Sequence, residues 1–398
     1  MSDYNKKAVT DIPVNGKKVL LRCDFNVPMD KDTGEITDVG RITASIPTIK
    51  YLLENGAAVI ACSHLGRPKG EWKPEFSLVP VAESLSKHLG KPVKMAKDVI
   101  GDDAVKMAAE LGSGEIMLLE NLRYHKEEEK NDPEFAKKLA AMADIFVSDA
   151  FGTVHRAHAS TEGVSHFLPA VSGFLLKKEL DNIGGAISDP KRPLVAILGG
   201  AKIGDKLAVI SNLIKVADTL IIGGGMAYTI IKAGGGKIGT SLCEDGEIDN
   251  VRKAVEEAKA KGVKMLLPTD NIAAAEFSND SAPVTVDSYN IPDNLMGLDI
   301  GPQSVDVFVK EIAGAGTIIW NGPMGVFEFP KFANGTLAVA KAVADSGAIS
   351  IVGGGDSAAA VRKFGLEDKM SHISTGGGAS LELMEGKILP GIACLLDA

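Results

Sequence analysis

Two kinds of residue in this sequence have the chemistry and the spacing to bind phosphate groups: a few arginines, and several runs of glycine. Only eight of the 43 basic residues are arginine, and five of these eight lie within the first 156 residues. A guanidinium group presents a planar fork of N–H donors that matches phosphate and carboxylate, whereas an ammonium group is a point charge. Arginines placed repeatedly near the ends of apolar runs therefore predict a site for a polyanionic ligand.

The candidate anion site in the first half is built from polar residues that follow apolar runs. Asp24 and Asn26 lie two residues apart, so in an extended chain they face the same way and could bind substrate hydroxyl groups. The alternative is ordinary turn chemistry before Pro28. The other candidates are cations in four short motifs, and the alternative for them is a set of scattered surface charges; they are Arg41, His64, Arg67, Arg123 and Arg156.

The second half has glycine turns instead. The motif GGAKIGDK (199–206) follows an apolar run and opens a helix, where backbone N–H groups favour anions. Lys202 and Lys206 are four residues apart, which predicts a shared helix face; a solvated lysine face is the alternative. In GGGDS (353–357), Asp356 could hold a hard cation that bridges phosphates or could simply cap a helix.

Several classes of protein are excluded or disfavoured. The sequence lacks the P-loop pattern, and no G-x-G-x-x-G follows a predicted strand. His155 and His158 lack the accompanying ligands of a zinc site, so a structural role is favoured. A net charge of −9 argues against a nucleic-acid or anionic-membrane partner. A polar start, four widely spaced cysteines and the lack of an 18-residue apolar run favour a cytoplasmic protein.

The elements that must position these residues alternate between strands and helices. Nine apolar runs predict buried parallel strands, and they lie in 17–25, 57–66, 115–123, 144–152, 193–202, 219–225, 264–270, 317–323 and 348–355. Amphipathic segments between them predict helices, among them 78–90, 132–143, 249–262 and 336–347. This alternation predicts an α/β fold of parallel sheets covered by helices. The segment 172–193 predicts a connecting helix, a glycine stop and a linker between two domains.

The sequence resembles the phosphoglycerate kinase family over nearly its whole length. The motifs that carry the resemblance occur in family order, and they are RCDFNVP, SHLGRP, ENLRYHKEEE, DAFGTVHRAHAS, GGAKIGDK, IIGGGM, MGLDIGP, WNGPMGVFE, GGGDS and STGGGASLELMEGK. Two positions depart from the common pattern without removing chemistry. Ser357 stands where threonine is frequent, and Val154 replaces the common alanine.

The resemblance implies reversible phosphoryl transfer between 1,3-bisphosphoglycerate and MgADP, giving 3-phosphoglycerate and MgATP, in glycolysis and gluconeogenesis. It implies two Rossmann-like three-layer lobes that face each other across a hinged cleft, usually in a monomer. The expected phosphoglycerate-binding domain is 1–172, the connecting helix and linker 173–188, and the nucleotide-binding domain 189–375. The tail, about 376–398, is expected to return to the first domain.

The resemblance also implies roles for individual residues. In the first lobe, Asp24 and Asn26 would bind the hydroxyl and carboxyl region of the substrate, and Arg41 would point toward the transferred group. The remaining substrate-binding residues, several of them around the distal phosphate, would be Phe25, His64, Leu65, Gly66, Arg67, Arg123 and Arg156.

In the second lobe, the residues implied at the nucleotide phosphates are Gly200, Ala201, Lys202, Lys206, Gly354, Gly355, Asp356 and Ser357. Asp356 would hold Mg²⁺. Gly224, Gly225, Gly297 and Leu298 would border the adenine pocket, and Asn321 and Glu328 would meet the nucleotide. Arg41, Lys206, Gly354 and Gly355 are the expected catalytic groups. They would act by alignment and charge neutralisation, because a carboxylate is already a competent nucleophile.

Two other functions fit parts of the pattern. A dinucleotide-dependent oxidoreductase would share the α/β alternation but needs a glycine fingerprint and a ribose-binding acid that are not found. A two-lobed anion-binding protein without chemistry would share the arginines but would not explain GGAKIGDK or GGGDS.

Overall fold

The chain forms two compact units in a computed structural model that describes residues 4–398. The first unit ends at Asp181 and also includes Ile388–Ala398, and the second is Asn182–Lys387. The chain therefore passes between the units twice, once in a helical segment and once near its C-terminus.

The first unit is built on a six-stranded sheet in which every neighbouring pair of strands is parallel. Its strands are β1 (Lys18–Cys23), β2 (Ala58–Cys62), β3 (Val93–Met95), β4 (Ile116–Leu118), β5 (Ile145–Asp149) and β6 (Ala170–Ser172). Their spatial order is β3-β4-β2-β1-β5-β6. Every residue of β2, β4 and β5 is buried, which explains their continuous apolar sequences. The four predicted strands of the first half are confirmed, and β3 and β6 were not predicted.

Helices cover this sheet. They are α1 (Gly40–Glu54), α2 (Val79–Leu89), α3 (Asp102–Glu110), α4 (Lys126–Glu129), α5 (Pro133–Ala140), α6 (Phe174–Glu179) and, from the C-terminal segment, the helix Pro390–Ala393. Short 3₁₀ turns occupy Val9–Asp11, Pro74–Phe76, Leu122–Tyr124, Phe151–Thr153 and Gly163–His166. The core lies between α1, α2 and the sheet, where Leu21, Ile49, Leu52, Val59 and Leu85 pack together.

The second unit repeats the plan with another all-parallel sheet of six strands. Its strands are β7 (Leu194–Leu198), β8 (Thr219–Ile222), β10 (Lys264–Leu266), β15 (Thr317–Asn321), β16 (Ile349–Gly353) and β17 (His372–Ile373). Their order is β10-β8-β7-β15-β16-β17. All five predicted strands of the second half are present, so the predicted α/β class with two parallel sheets is confirmed.

Two small sheets and eight α-helices complete the second unit. The strands of the small sheets are β9 (Lys237–Ile238), β11 (Asp270–Ala274), β12 (Val284–Asp287), β13 (Asn290–Ile291) and β14 (Met296–Ile300). An antiparallel sheet has the order β12-β11-β14, and a parallel pair joins β13 to β9. The helices are α7 (Gly185–Ser188), α8 (Leu207–Leu213), α9 (Met226–Ala233), α10 (Ile248–Ala260), α11 (Pro302–Ala313), α12 (Asn334–Asp345), α13 (Gly355–Lys363) and α14 (Gly378–Met384); the helix Pro390–Ala393 is α15. Further 3₁₀ turns are Gly204–Lys206, Asp245–Glu247, Pro330–Phe332 and Glu367–Lys369.

The connecting segment is helical for longer than its sequence predicts. Helix α6 continues through a π-helical stretch, Leu180–Gly184, into α7, which ends at Ser188. The predicted stop at the two glycines 184 and 185 is therefore wrong. The burial of Leu180 and Ile183 in this segment shows that tertiary packing outweighs the low helix propensity of the glycines.

The C-terminal segment is held by backbone pairing to the first unit. Lys7 N donates to the Leu396 carbonyl at 2.9 Å, and Leu396 N donates to the Ala170 carbonyl at 2.9 Å. Lys6 Nζ lies 2.6 Å from a carboxylate oxygen of Asp397. Among residues 4–398, none of the helices has the length and apolar character that a bilayer crossing demands.

Candidate functional site

The first-half candidates lie where four neighbouring strands end. Asp24 follows β1, His64 follows β2, Arg123 follows β4 and Arg156 follows β5. In the sheet these strands are adjacent, in the order β4-β2-β1-β5. The carboxyl ends of parallel strands share one sheet edge. The chain order of the strands changes direction at β1, which lies between β2 and β5, and open α/β sheets bind ligands at such a change of direction.

Asp24, Asn26 and Arg41 make contacts that organise this edge. Asp24 is largely buried, and its carboxylate pairs with the Arg41 guanidinium, which is partly exposed. The Asn26 side-chain oxygen accepts a hydrogen bond from Gly66 N at 2.8 Å. The loop that follows β1 is thereby tied to the loop that follows β2.

The surroundings of His64 show that several arginines lie close together. Its pKa is well below the ordinary value because the imidazole is buried and because Arg22, Arg123, Arg41 and Arg156 place positive charge around it. Burial and the neighbouring Arg123, Arg22 and Arg156 also lower the pKa of His158 to about 4. One cluster therefore contains Arg41, Arg123 and Arg156, with Arg22, around His64, and a dense positive field is suited to a small polyanion.

The predicted residues of this site are buried to different degrees. Arg123 is buried and donates to the Gly66 carbonyl at 2.9 Å. Arg67, which follows Gly66 in the loop after β2, is exposed. Arg156 Nε lies 3.2 Å from His155 Nε2. The side chains of Phe25 and Leu65 are buried in the core, so these two residues can offer a ligand only their backbone.

A separate apolar pocket of about 560 Å³ adjoins this cluster and shares Asn26 and Gly66 with it. Its wall includes Met29 and Phe76 and none of the arginines. Its composition does not match an anion, so the candidate anion site is the arginine cluster.

The second unit has a pocket of about 510 Å³ at the matching edge of its own sheet. It contains eight of the predicted nucleotide-site residues: Gly200, Ala201, Gly224, Gly225, Gly297, Leu298, Glu328 and Asp356. Its walls are otherwise mainly apolar, as is usual for the base end of a small-molecule pocket.

The glycines let three loops of this unit approach closely. Gly224 has φ +66°, and a Cβ there would lie 2.7 Å from Gly200 N and 2.8 Å from the Pro323 carbonyl oxygen. The loops after β7, β8 and β15 therefore meet backbone to backbone. A side chain at Gly224 would force them apart.

Lys206 lies beside this pocket and has a perturbed pKa. Its ammonium group donates to the Asn321 carbonyl oxygen at 3.0 Å and also to the Asn321 side-chain oxygen. Burial lowers the pKa of Lys206 to about 8, against the opposing charges of Asp356 and Asp205. Lys202 is exposed and precedes the helical turn Gly204–Lys206, so the predicted shared helix face of the two lysines is wrong.

The GGGDS motif forms the turn from β16 into α13. Gly354 precedes α13, Gly355 is its first residue and Asp356 is exposed in its first turn. The Ser357 hydroxyl is buried and accepts a hydrogen bond from Gly322 N at 2.5 Å. The carboxylate of Asp356 is therefore exposed at the pocket. The hydrogen bond to Ser357 connects this turn to the residue that follows β15.

Some site residues were not found from the sequence. Tyr228 lines this glycine-lined pocket, and its hydroxyl lies 3.1 Å from the Asn271 side-chain oxygen. Asp299 follows the pocket residue Leu298 but is not part of the pocket lining. Burial raises the pKa of Asp299 to about 7, and its carboxylate accepts hydrogen bonds from Gly335 N and Ile300 N. Both residues lie in apolar or glycine-rich stretches, where nothing in the spacing singled them out. In residues 4–398 no three His, Cys, Asp or Glu side chains gather as a metal site, and this includes His155 and His158.

The chain is similar to known proteins over nearly its whole length. The family model described as phosphoglycerate kinase matches residues 9–387. Phosphoglycerate kinase of Clostridium botulinum (strain Eklund 17B / Type B) is 59% identical over 99% of this chain and 100% of its own length. That of Clostridium novyi (strain NT) is 58% identical over 99% of each chain.

Solved structures give the same result. The structure of phosphoglycerate kinase from Coxiella burnetii has a TM-score of 0.92 at 44% identity, over 98% of both chains. The enzyme from Pyrococcus horikoshii OT3 has a TM-score of 0.80 at 34% identity, also over 98% of both chains. With a family model, close relatives and solved structures matching nearly end to end, the chain belongs to the phosphoglycerate kinase family.

Proposed function

We propose that this protein transfers a phosphoryl group between 1,3-bisphosphoglycerate and MgADP, reversibly, giving 3-phosphoglycerate and MgATP. It is a kinase with a carboxyl group as acceptor, and the reaction serves glycolysis and gluconeogenesis. The observation that carries the proposal is that one chain contains two separate sites whose residues are suited to binding phosphate groups. One is an arginine cluster around His64, and the other is a glycine-lined pocket beside Lys206 and Asp356.

The arginine cluster is the proposed phosphoglycerate site. Arg67, Arg123 and Arg156 bind the phosphate that is not transferred, together with the imidazole of His64. Asp24 and Asn26 bind the hydroxyl and carboxyl region. Arg41 now rests on Asp24, so the substrate has to draw it away before it can face the transferred group.

The glycine-lined pocket is the proposed nucleotide site. Gly224, Gly225, Gly297 and Leu298 border the base, and Glu328 meets the ribose. The turn residues Gly200, Ala201, Gly354 and Gly355 offer backbone N–H groups to the phosphates, with Lys202 and Lys206 nearby. Lys206 now donates to Asn321, so it too has to exchange a protein acceptor for a phosphate oxygen.

Mg²⁺ enters as part of the nucleotide substrate, and the chain fits that form of the ion. Mg²⁺ is commonly held by one or two carboxylates together with substrate phosphates. Asp356 supplies one exposed carboxylate at the pocket. The ion neutralises phosphate charge when the complex is bound.

The chemistry needs alignment and charge neutralisation more than proton transfer. The nucleophile in the direction of ATP consumption is the carboxylate of 3-phosphoglycerate, which has no proton to lose. Negative charge on the transferred group is stabilised by Arg41 from the first unit and by Lys206 from the second. Such preorganised donors are often the largest contribution to catalysis.

A domain closure follows from this division of labour. The two reacting molecules bind different units, and in-line transfer requires their oxygens to be close and aligned. We therefore propose hinge bending in the connecting segment and near the Thr375–Gly378 turn, completed only when both substrates are bound.

Free thiols at all four cysteines support a cytoplasmic setting, and the family resemblance supports a monomer.

A coupled assay tests the proposed function. Purified protein is given MgATP, and ADP release is followed with and without 3-phosphoglycerate. Glycerate, which lacks the phosphate, and glycerol 3-phosphate, which lacks the carboxylate, are the matched controls. ADP should appear only with 3-phosphoglycerate. Equal ADP release without it, or none with it, contradicts the proposal; NAD-dependent absorbance change or binding without turnover would favour the alternative functions.

A further inference from the structure

Arg22, the last residue but one of β1, is a buried arginine beneath the anion site. Its side chain is 1% exposed. Its Nε donates to Ser160 Oγ at 2.8 Å, and one terminal nitrogen donates to the Cys23 carbonyl. The other terminal nitrogen lies 3.2 Å from His64 Nδ1. The guanidinium thus bridges the Ser160 hydroxyl and the imidazole of His64, which lies in the loop after β2.

A buried carboxylate lies behind this arginine. Glu128 is fully buried. One of its oxygens accepts from the Ser160 hydroxyl at 2.5 Å, and the other accepts from Ser160 N at 2.9 Å. The hydroxyl has a single proton, which it gives to Glu128, and it receives the N–H of Arg22 on a lone pair. The donor direction is therefore Arg22 to Ser160 to Glu128.

The contact with His64 fixes where the imidazole carries its proton. A guanidinium group has only donors and stays charged in proteins. His64 Nδ1 must therefore be an acceptor, which leaves the proton of a neutral imidazole on Nε2. A protonated imidazolium would place an N–H against the N–H of Arg22.

We propose that Glu128, Ser160 and Arg22 are positioning residues that hold His64 as the neutral Nε2–H form. The consequence for the substrate rests on the proposed function: the neutral imidazole of His64 donates a hydrogen bond to phosphoglycerate from Nε2 and contributes no positive charge. The charged and titratable groups facing His64 are Arg22, Arg41, Arg123 and Arg156. All four oppose its protonation, and its burial at 5% exposure acts in the same sense. The pKa of His64 is accordingly lowered.

Nitrogen NMR on the intact wild-type protein tests this directly. The chain is labelled with ¹⁵N-histidine, and His64 is assigned from the spectrum of His64→Gln. His64 Nδ1 should resonate as an unprotonated nitrogen and Nε2 as a protonated one. The pattern should stay unchanged through the ordinary histidine pKa of about 6.5. A protonated Nδ1, or an imidazolium signal in that range, overturns the proposal whatever the activity of the protein.

Variants then separate positioning from folding. In Arg22→Met/Glu128→Gln, both buried charges are removed together, so neither is left unpaired. Its His64 should lose the fixed Nε2–H pattern, and the KM for 3-phosphoglycerate should rise about tenfold while the KM for MgATP stays constant. Arg252→Met, which removes an exposed arginine of the second unit, should change neither.

A folded double variant that keeps the wild-type imidazole pattern would show that Arg22 does not set the tautomer. If the double variant does not fold, the wild-type spectrum alone decides the proposal. Failure of the proposed function would appear separately, as absent turnover with the imidazole pattern intact.

Discussion

Arg41 and Lys206 each rest on a polar group of their own unit, Arg41 on Asp24 and Lys206 on Asn321. These contacts hold two long cationic side chains in defined positions. They also mean that a bound substrate must offer better acceptors than the protein does. Both residues could be singled out as candidates from the sequence, because each lies in a recognisable motif. Their present partners could not, since an ion pair across 17 residues and a hydrogen bond across 115 residues depend on the fold.

Replacing Arg41 should damage turnover more than binding. The guanidinium is proposed to act on the transferred group, so Arg41→Met removes one preorganised charge from the transition state. Such a loss typically costs on the order of 10²–10³ in rate. Steady-state kinetics should show this fall in kcat with KM values changed only a few-fold. Arg252→Met is the control for loss of an arginine. A change confined to KM would mean that Arg41 stabilises the bound substrate and the transition state equally, and so does not act in catalysis.

The pKa of Lys206 predicts an alkaline loss of activity. Burial lowers this pKa to about 8, so the unliganded protein loses the ammonium proton as the pH rises through that value. The kcat/KM for MgATP, which reports the free enzyme, should therefore fall above about pH 8. In Lys206→Arg the guanidinium remains charged, and the fall should move to higher pH. An identical alkaline limb in both proteins would assign it to another group.

At the scale of elements, the two sites follow from the topology of parallel sheets. Strands β2, β1 and β5 bring Asp24, His64 and Arg156 to one edge, although these residues are separated by about 40 to 130 residues in the chain. Nine apolar runs sufficed to predict nine strands. Eight of these strands are largely buried, which makes their sequences continuously apolar; the ninth, β10, is partly exposed. The short edge strands β3, β6 and β17 have three residues or fewer. Unlike the equally short β4 and β10, they lie in none of the nine apolar runs; their sequences are VKM, AVS and HI.

Close approach of three loops at Gly224 gives a prediction about stability. Gly224→Ala places a Cβ against the backbone of Gly200 and Pro323, and backbone cannot rotate away. Gly347→Ala is the matched control, since Gly347 has φ +69° with nothing within 4 Å of its Cβ position. Both variants bear the left-handed cost of roughly 1–2 kcal/mol. Denaturant unfolding should show a further loss of about 1–3 kcal/mol from overpacking in Gly224→Ala alone. Equal losses in the two variants would contradict the close approach.

At the scale of the whole molecule, the chain is two α/β units joined by the helical segment from Phe174 to Ser188. The sequence predicts two units because the apolar runs fall into two sets on either side of this segment. It does not predict that Gly184 and Gly185 continue the helix, which depends on packing. The antiparallel strands β11, β12 and β14 were also missed. They lie between predicted elements and have mixed burial.

Domain closure predicts a change in size that depends on both ligands. Small-angle scattering is recorded for the protein alone, with 3-phosphoglycerate, with a non-hydrolysable MgATP analogue, and with both. The radius of gyration should decrease most when both are present, because the transfer geometry requires reacting groups from both units to meet. An unchanged radius in all four states of an active enzyme would contradict the closure.

The central claim is that the arginine cluster binds phosphoglycerate and the glycine-lined pocket binds the metal-nucleotide, each independently. Titration calorimetry of 3-phosphoglycerate and of MgADP into Arg67→Met and Asp356→Asn tests it most directly, since both side chains are exposed and either variant should fold. Arg67→Met should weaken 3-phosphoglycerate about tenfold, because it removes a charge-assisted hydrogen bond, and leave MgADP within about twofold. Asp356→Asn should do the reverse, because an amide is a poorer ligand for Mg²⁺ than a carboxylate. Equal weakening of both ligands by either variant, or the opposite pairing, would contradict the account.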